Sequence, residues 1–407
     1  MHLIPLIFCI NKRMNKELTK RQHWNPRMHL KHFSTDRKIY LYNKKTSMVK
    51  HVSINDVAVG KWFYDRDNSI EEKLSKIESK VDKIFLKIIK KKHIYHISFE
   101  ERKYLNEFIV LQDYRTPHSR KIFEIIYHEY LQLFLNAFKN GKLEETLIPE
   151  GLPKDLWENM PPPKENFLKF LQMAKDDPNY FAKFNKEGAV NLTNMIIKGI
   201  IPSGIKYFGK LKMRLFKNTS VLDFFTSDHP VCRYNHYMID KYGHITMHGI
   251  GYNSEGIQFF YPLTPKLSLV FEDGNIYKNF KDVSVVDYEF VEFINARIIQ
   301  NSNRWLFAQN SNFTYVDKFL GDYPDFRDSD VLFGLWKIPE TDSDRSIWER
   351  FYGVEAQRRL EKYIEHLIQN GATEREVENI RIKYNIEYIQ ALENTKKEIS
   401  FLSKQEN

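Results

Sequence analysis

The sequence predicts an α+β fold, a mixed or antiparallel sheet packed by long helices, with a helical C-terminal appendage. Three patterns predict it. Apolar residues alternate with period two in "KIYLYNKKTSMVKHVSI" at 38–54, the signature of a half-buried hairpin. Ile70, Leu74, Ile77, Val81, Ile84 and Ile88 step by threes and fours, which lines one face of a helix. "GIQFFYPLTPKLSLVFED" at 256–273 reads as two strands around a proline-bracketed turn.

In chain order, the hairpin's turn is "NKKT". The first long helix starts at Asn68 or Ser69, with Glu71 and Glu72 at its positive end and lysines at its far end. A longer helical region spans 98–141, opened by a Ser98/Glu101 capping box and stopped by Gly141. Pro117 falls inside it and must kink or break it, at about 3 kcal/mol within a helix interior. Prolines at 149, 153 and 161–163 mark a loop, and 165–217 is helical in pieces. "SVLDFFTSDHPVCRYN" (220–235) reads as a strand and turn, and 237–249 as a hairpin about Tyr242-Gly243. A helix over 283–303, a strand at "RWLFAQ", a short helix over 312–320 and charged helices from 346 complete the chain. The expected organisation is a basic, disordered leader at 1–21, a core domain at 22–320, a linker at 321–345 and a helical region at 346–407.

Composition limits the function classes. Hydrophobic residues make up 42% and aromatics 14%, enough for a packed core rather than a disordered chain. The net charge is +9, yet residues 1–50 alone hold 12 Lys/Arg against 2 Asp/Glu. Such a leader attracts phosphate backbones or anionic substrates, or is simply a solvated flank. Cys9 and Cys232 are the only cysteines, too few for a disulfide framework, which points to a reducing cytoplasm. No apolar run reaches the ~18 residues of a membrane span. "LIPLIFCI" at 3–10 lacks the flanks of a secretion signal, and either Met1 or Met14 can open the chain.

Several polar motifs recur at element ends. They are His23-Trp24-Asn25-Pro26 with Leu30 and Phe33, then "YLYNKKT", "IEEKLSKIESKVDKI", "FIVLQDYRTPHSR", "TSDHPV" and "FYPLTPKLSLVF". As an ordered set over residues 22–310 they resemble a bacterial and archaeal family, domain of unknown function 4238, whose signature begins His-Tyr-Val-Pro. Trp24 and Asn25 replace the usual Tyr and Val. The resemblance carries no activity, and the C-terminal region lies outside it.

Three residues are the candidates for chemistry. His23 precedes a stiff Pro26 and can act as base or metal ligand; its alternative is a strand cap. Arg115 lies on a polar stripe with Gln112, Thr116 and Ser119 and suits bidentate binding of carboxylate or phosphate. Its alternative is an ion pair with Glu72, Glu78 or Asp228. Asp228 is a metal-binding or base-orienting carboxylate, or else the organiser of its own turn. Arg27, Gln112, Arg120 and His229 are candidate substrate-binding residues. Glu72 and Glu78, six apart, do not share a helical face. His244 and His248 would lie ~13 Å apart along a strand, too far for one zinc.

Two function classes follow. One is an enzyme, a hydrolase or nuclease-like protein acting on a phosphate-bearing substrate, with His23, Arg115 and Asp228 in one cleft. The other is a non-catalytic nucleic-acid or protein-binding module, such as a defence component with a partner on its C-terminal helices. The sequence names no cofactor and no metal, and leaves open whether the chain is an enzyme.

Overall fold

A computed structural model describes residues 18–141, 164–177, 203–238, 250–278 and 281–328, with scattered residues at 179–197 and 373–377. Most of the expected leader, the 149–163 loop, the hairpin about 242–243 with His244 and His248, and nearly all of the C-terminal helical region lie outside the described residues.

The elements, in order, are β1 (Arg21–His23), α1 (Arg27–Leu30), β2 (Lys38–Asn43), β3 (Val49–Ser53), β4 (Val59–Lys61), α2 (Ser69–Lys91), α3 (Phe99–Tyr114), α4 (Pro117–Lys139), α5 (Lys164–Asp176) and α6 (Ser203–Phe208). Then come β5 (Lys212–Asn218), β6 (Thr226–Ser227), β7 (Cys232–Tyr234), β8 (Gln258–Thr264), β9 (Leu267–Glu272), β10 (Val283–Val286), α7 (Tyr288–Asn301), β11 (Trp305–Ala308) and α8 (Thr314–Asp322). Among the described residues, five strands form one sheet in the order β10-β5-β9-β8-β7, and four form another, β3-β2-β11-β6. Among the described strand pairs only β10–β5 is parallel, so these sheets are mixed and antiparallel, in keeping with an α+β class.

The near-continuous apolar runs of β8 and β9 have a simple cause. Phe259, Tyr261, Leu263, Leu269 and Phe271 enter one core, built with the faces of α2 and α3. Phe260 and Val270 alternate with them into a second core shared with α7 and α8. Successive strand residues point to opposite faces, and a strand buried on both faces has no place for polar residues. The four-stranded sheet has its own small core, where Ile39, Leu41 and Phe307 meet Leu30 and Phe33.

Four local readings differ in detail. Pro117 marks a break rather than a kink: α3 ends at Tyr114, and α4 begins at Pro117 with Thr116 as its cap. At the first helical position the missing N–H is no loss, so the interior penalty never arises. The start of α2 is capped from a distance, since Asp65 Oδ2 accepts the Ile70 N–H at 2.7 Å and Asp67 Oδ1 that of Ser69 at 3.0 Å. Asn68 itself adopts a left-handed conformation without capping. The 220–235 segment supplies two short strands, β6 and β7, and the 283–303 segment divides into β10 and α7. The Ser98/Glu101 capping box forms as expected.

Candidate functional site

The first polar motif is threaded between three elements. The Asn25 amide donates to Ser227 O at 2.8 Å, and His29 Nε2 meets Thr226 Oγ1 at 2.8 Å. The Gln112 amide donates to Trp24 O at 2.8 Å, and the Tyr64 hydroxyl to His23 O at 3.0 Å. Residues 22–29 therefore clasp β6, the end of α3 and the loop before α2. Pro26 suits this role because its fixed φ holds the extended entry to α1.

Arg115, at the end of α3, is 1% exposed. Its Nε donates to Gln112 Oε1 at 2.7 Å and its Nη1 to Glu78 Oε1 at 2.6 Å. The Glu78 side chain stays 25% exposed, so solvent reaches the pair from the α2 side. Arg115 Nη2 is buried without a protein partner, as are Tyr261 Oη and the Arg120 Nε and Nη2 atoms. The Arg120 guanidinium lies over Phe63, 3.6 Å from the ring centre, and burial lowers its pKa to about 10. Glu71 stands seven residues before Glu78, two helical turns away and so on the same face. Burial, then the neighbouring Glu78 charge, pushes the Glu71 pKa up to about 7. A carboxyl near neutrality beside a second carboxylate, with a buried guanidinium between α2 and α3, can bind an anion and move a proton.

The three candidates have three separate sets of partners. His23 faces the backbone of Ile54 and Asn55, and burial, then Arg27, lowers its pKa to about 4. Its Nε2 has no protein partner. The Arg27 charge acts on both His23 and Glu71. Arg27 itself is exposed, 3.5 Å from Asn55 Oδ1. Asp228 is 1% exposed and accepts the main-chain N–H groups of Asn303, Arg304 and Trp305 at 2.9, 2.8 and 3.0 Å. Both of its oxygens are engaged in bracing the turn from α7 to β11. The alternative reading, an aspartate organising a turn, describes these contacts, although the turn is one distant in sequence.

His229, in the bend that follows β6 like Asp228, has a separate set of partners. Its Nδ1 meets Thr116 Oγ1 at 2.8 Å, its Nε2 lies 3.7 Å from Asp113 Oδ1, and its ring stacks on His118 at 4.3 Å. Burial, then Arg233, lowers its pKa to about 3, so it is neutral. Beside it Asp113, 2% exposed, holds Arg233 through Nε at 2.9 Å and through Nη2, and accepts the Tyr252 hydroxyl. Gln112 spans the clasp and Arg115.

Sequence reasoning missed Glu71, weighing Glu72 with Glu78 instead; the seven-residue spacing was the available signal. It also missed Asp113, Arg233 and Tyr252: Asp113 lies within "FIVLQDYRTPHSR", but its partners are 120 and 139 residues away. Among the described residues no group of three or more His, Cys, Asp or Glu could hold a metal ion. Within them, too, no helix is long and apolar enough to cross a membrane.

Residues 21–312 match the family model described as Protein of unknown function (DUF4238). The match covers more than half of the chain, so the chain belongs to this family. No curated protein and no solved structure matches it.

The raised Glu71 pKa has a consequence for stability. A carboxyl with a folded pKa near 7 and an ordinary unfolded value costs nothing below about pH 4.5 and its full penalty above pH 7. Glu71→Gln is therefore expected to be more stable than the parent above pH 7, by about 1 kcal/mol after discounting for solvent screening. The gain fades as the pH falls to 4.5. Urea denaturation at pH 8 and pH 4.5 checks it.

Proposed function

We propose that the chain is an enzyme, hydrolase or nuclease-like, acting on a phosphate-bearing substrate beside the Arg115–Glu78 ion pair that joins the end of α3 to α2. The observation that supports this reading is the buried Arg115, with one N–H group unused by the protein, beside the Glu71–Glu78 pair. Arg115 and Arg120 take the substrate's anionic oxygens. Protonated Glu71 supplies a proton to the leaving oxygen, and ionised Glu78 holds Arg115 in place. His23, neutral with a buried Nε2 that has no protein partner, accepts a proton from water, and exposed Arg27 steers the anion inward. Asp228 is left out of the reacting set because main-chain donors occupy both of its oxygens. The buried unpaired Cys232 fits a reducing cytoplasm.

The test is a screen of the purified chain against phosphate mono- and diesters, nucleotides and DNA, with Mg²⁺, Mn²⁺ and Zn²⁺ in turn. Turnover is expected, with kcat falling at least about 100-fold in Glu71→Gln and KM rising in Arg115→Lys, which cannot reproduce the guanidinium fork. No turnover on any substrate, or turnover indifferent to Glu71→Gln, contradicts the reading.

A second reading is a non-catalytic nucleic-acid or protein-binding module, including a defence component. It is favoured by the motif residues being one another's partners: His29 with Thr226, Asn25 with Ser227, Thr116 with His229. On that reading nucleic acid binds without turnover and with affinity falling steeply in salt.

A further inference from the structure

The end of α3 separates two environments. Gln112 donates to Trp24 O and Arg115 to Glu78, whereas Tyr114 lines a cleft of about 450 Å³, together with Tyr207, Tyr252, Asn253 and Ser254. We propose that this cleft binds the planar base of a nucleoside.

The rings are held before any ligand arrives. The Tyr252 hydroxyl is bound to Asp113, and the Tyr114 ring packs against Tyr252 and Phe123, each at 5.7 Å between centres. Fixed aromatic rings lose little freedom on binding. The guanidinium of Arg233 lies 4.6 Å from the Tyr252 ring centre, but its charge is matched by Asp113. The charges next to Tyr252 therefore cancel, and the Lys210 ammonium lies 5.2 Å from the Tyr207 ring centre, so it is the aromatic lining that suits a flat ring. Gly251 N donates to Ser254 Oγ at 3.0 Å, and Ser254 N to Gly251 O at 3.1 Å. This closed turn presents the exposed Asn253 amide, with both a donor and an acceptor, as a base edge requires. The volume falls within the range of small-ligand clefts, and stacking on aromatic side chains is the general means of holding a base.

Saturation-transfer NMR and calorimetry with adenosine test the assignment. Adenosine is expected to bind with a Kd of roughly 0.1–1 mM. Tyr207→Ala, which removes a partly exposed ring outside the Asp113–Arg233 pair, should weaken it at least tenfold. Glu71→Gln should leave the affinity unchanged, so the cleft stands or falls separately from the phosphate chemistry. Absence of binding at ~5 mM, equal binding of glucose, or affinity untouched by Tyr207→Ala overturns the proposal.

Discussion

Asp228→Ala is expected to destabilise the fold by about 3–5 kcal/mol, measured by urea denaturation at pH 7. The carboxylate is buried and receives three main-chain N–H groups at 2.8–3.0 Å from the turn before β11. Hydrogen bonds to a charged acceptor are worth more than neutral ones, and each orphaned donor carries its own desolvation cost. Lys44 adds to the loss. It is fully buried, donates to Ile299 O and Ser302 O at 2.9 and 2.6 Å, and has its pKa lowered to about 7 by burial, against the raising effect of Asp228. Removing the carboxylate leaves that ammonium with less to offset its burial. Asp228→Asn keeps the shape and one accepting oxygen and should lose only about half as much. A loss under ~1 kcal/mol in Asp228→Ala would show that the brace contributes little and would reopen a chemical role for the side chain.

Asp113→Ala is expected to cost a similar ~3–5 kcal/mol for a different reason. Arg233, whose pKa is raised as Asp113, with Tyr252 and Tyr114, outweighs the opposing effect of burial, would lose its counter-charge while staying enclosed by Tyr252, Tyr114 and Phe259. The Tyr252 hydroxyl would lose its acceptor too. The double variant Asp113→Leu/Arg233→Met removes both charges and fills similar volume. It should recover at least about half of the loss, because the cost lies in the unpaired charge rather than in the absence of the pair. A double variant as unstable as Asp113→Ala would contradict this account.

The elements were legible where one local rule decides them. Period-two alternation located β2 and β3, the three-four stepping of apolar residues located α2, and Ser98 with Glu101 fixed the start of α3. Pro117 was correctly seen as a discontinuity, but proline alone does not distinguish a kinked helix from a new one. Thr116, able to accept the Ser119 N–H as an N-cap, decides for a new helix. The end of α3 was singled out by its polar stripe, and Arg115 does meet Glu78, one of the three carboxylates weighed for it. The partners of Asp228 and Asp113 were not legible. They come from residues 75–139 positions away, and a buried carboxylate that braces a turn has the same local sequence as one that binds a ligand.

The most direct test of the central claim, a Glu71 carboxyl kept protonated to near neutral pH by burial and then by the Glu78 charge, is a 13C NMR titration of the Glu71 side-chain carboxyl. The midpoint is expected near pH 7, moving downward in Glu78→Gln as the second charge is removed. A midpoint near the ordinary carboxylate value, or one indifferent to Glu78→Gln, would contradict the account.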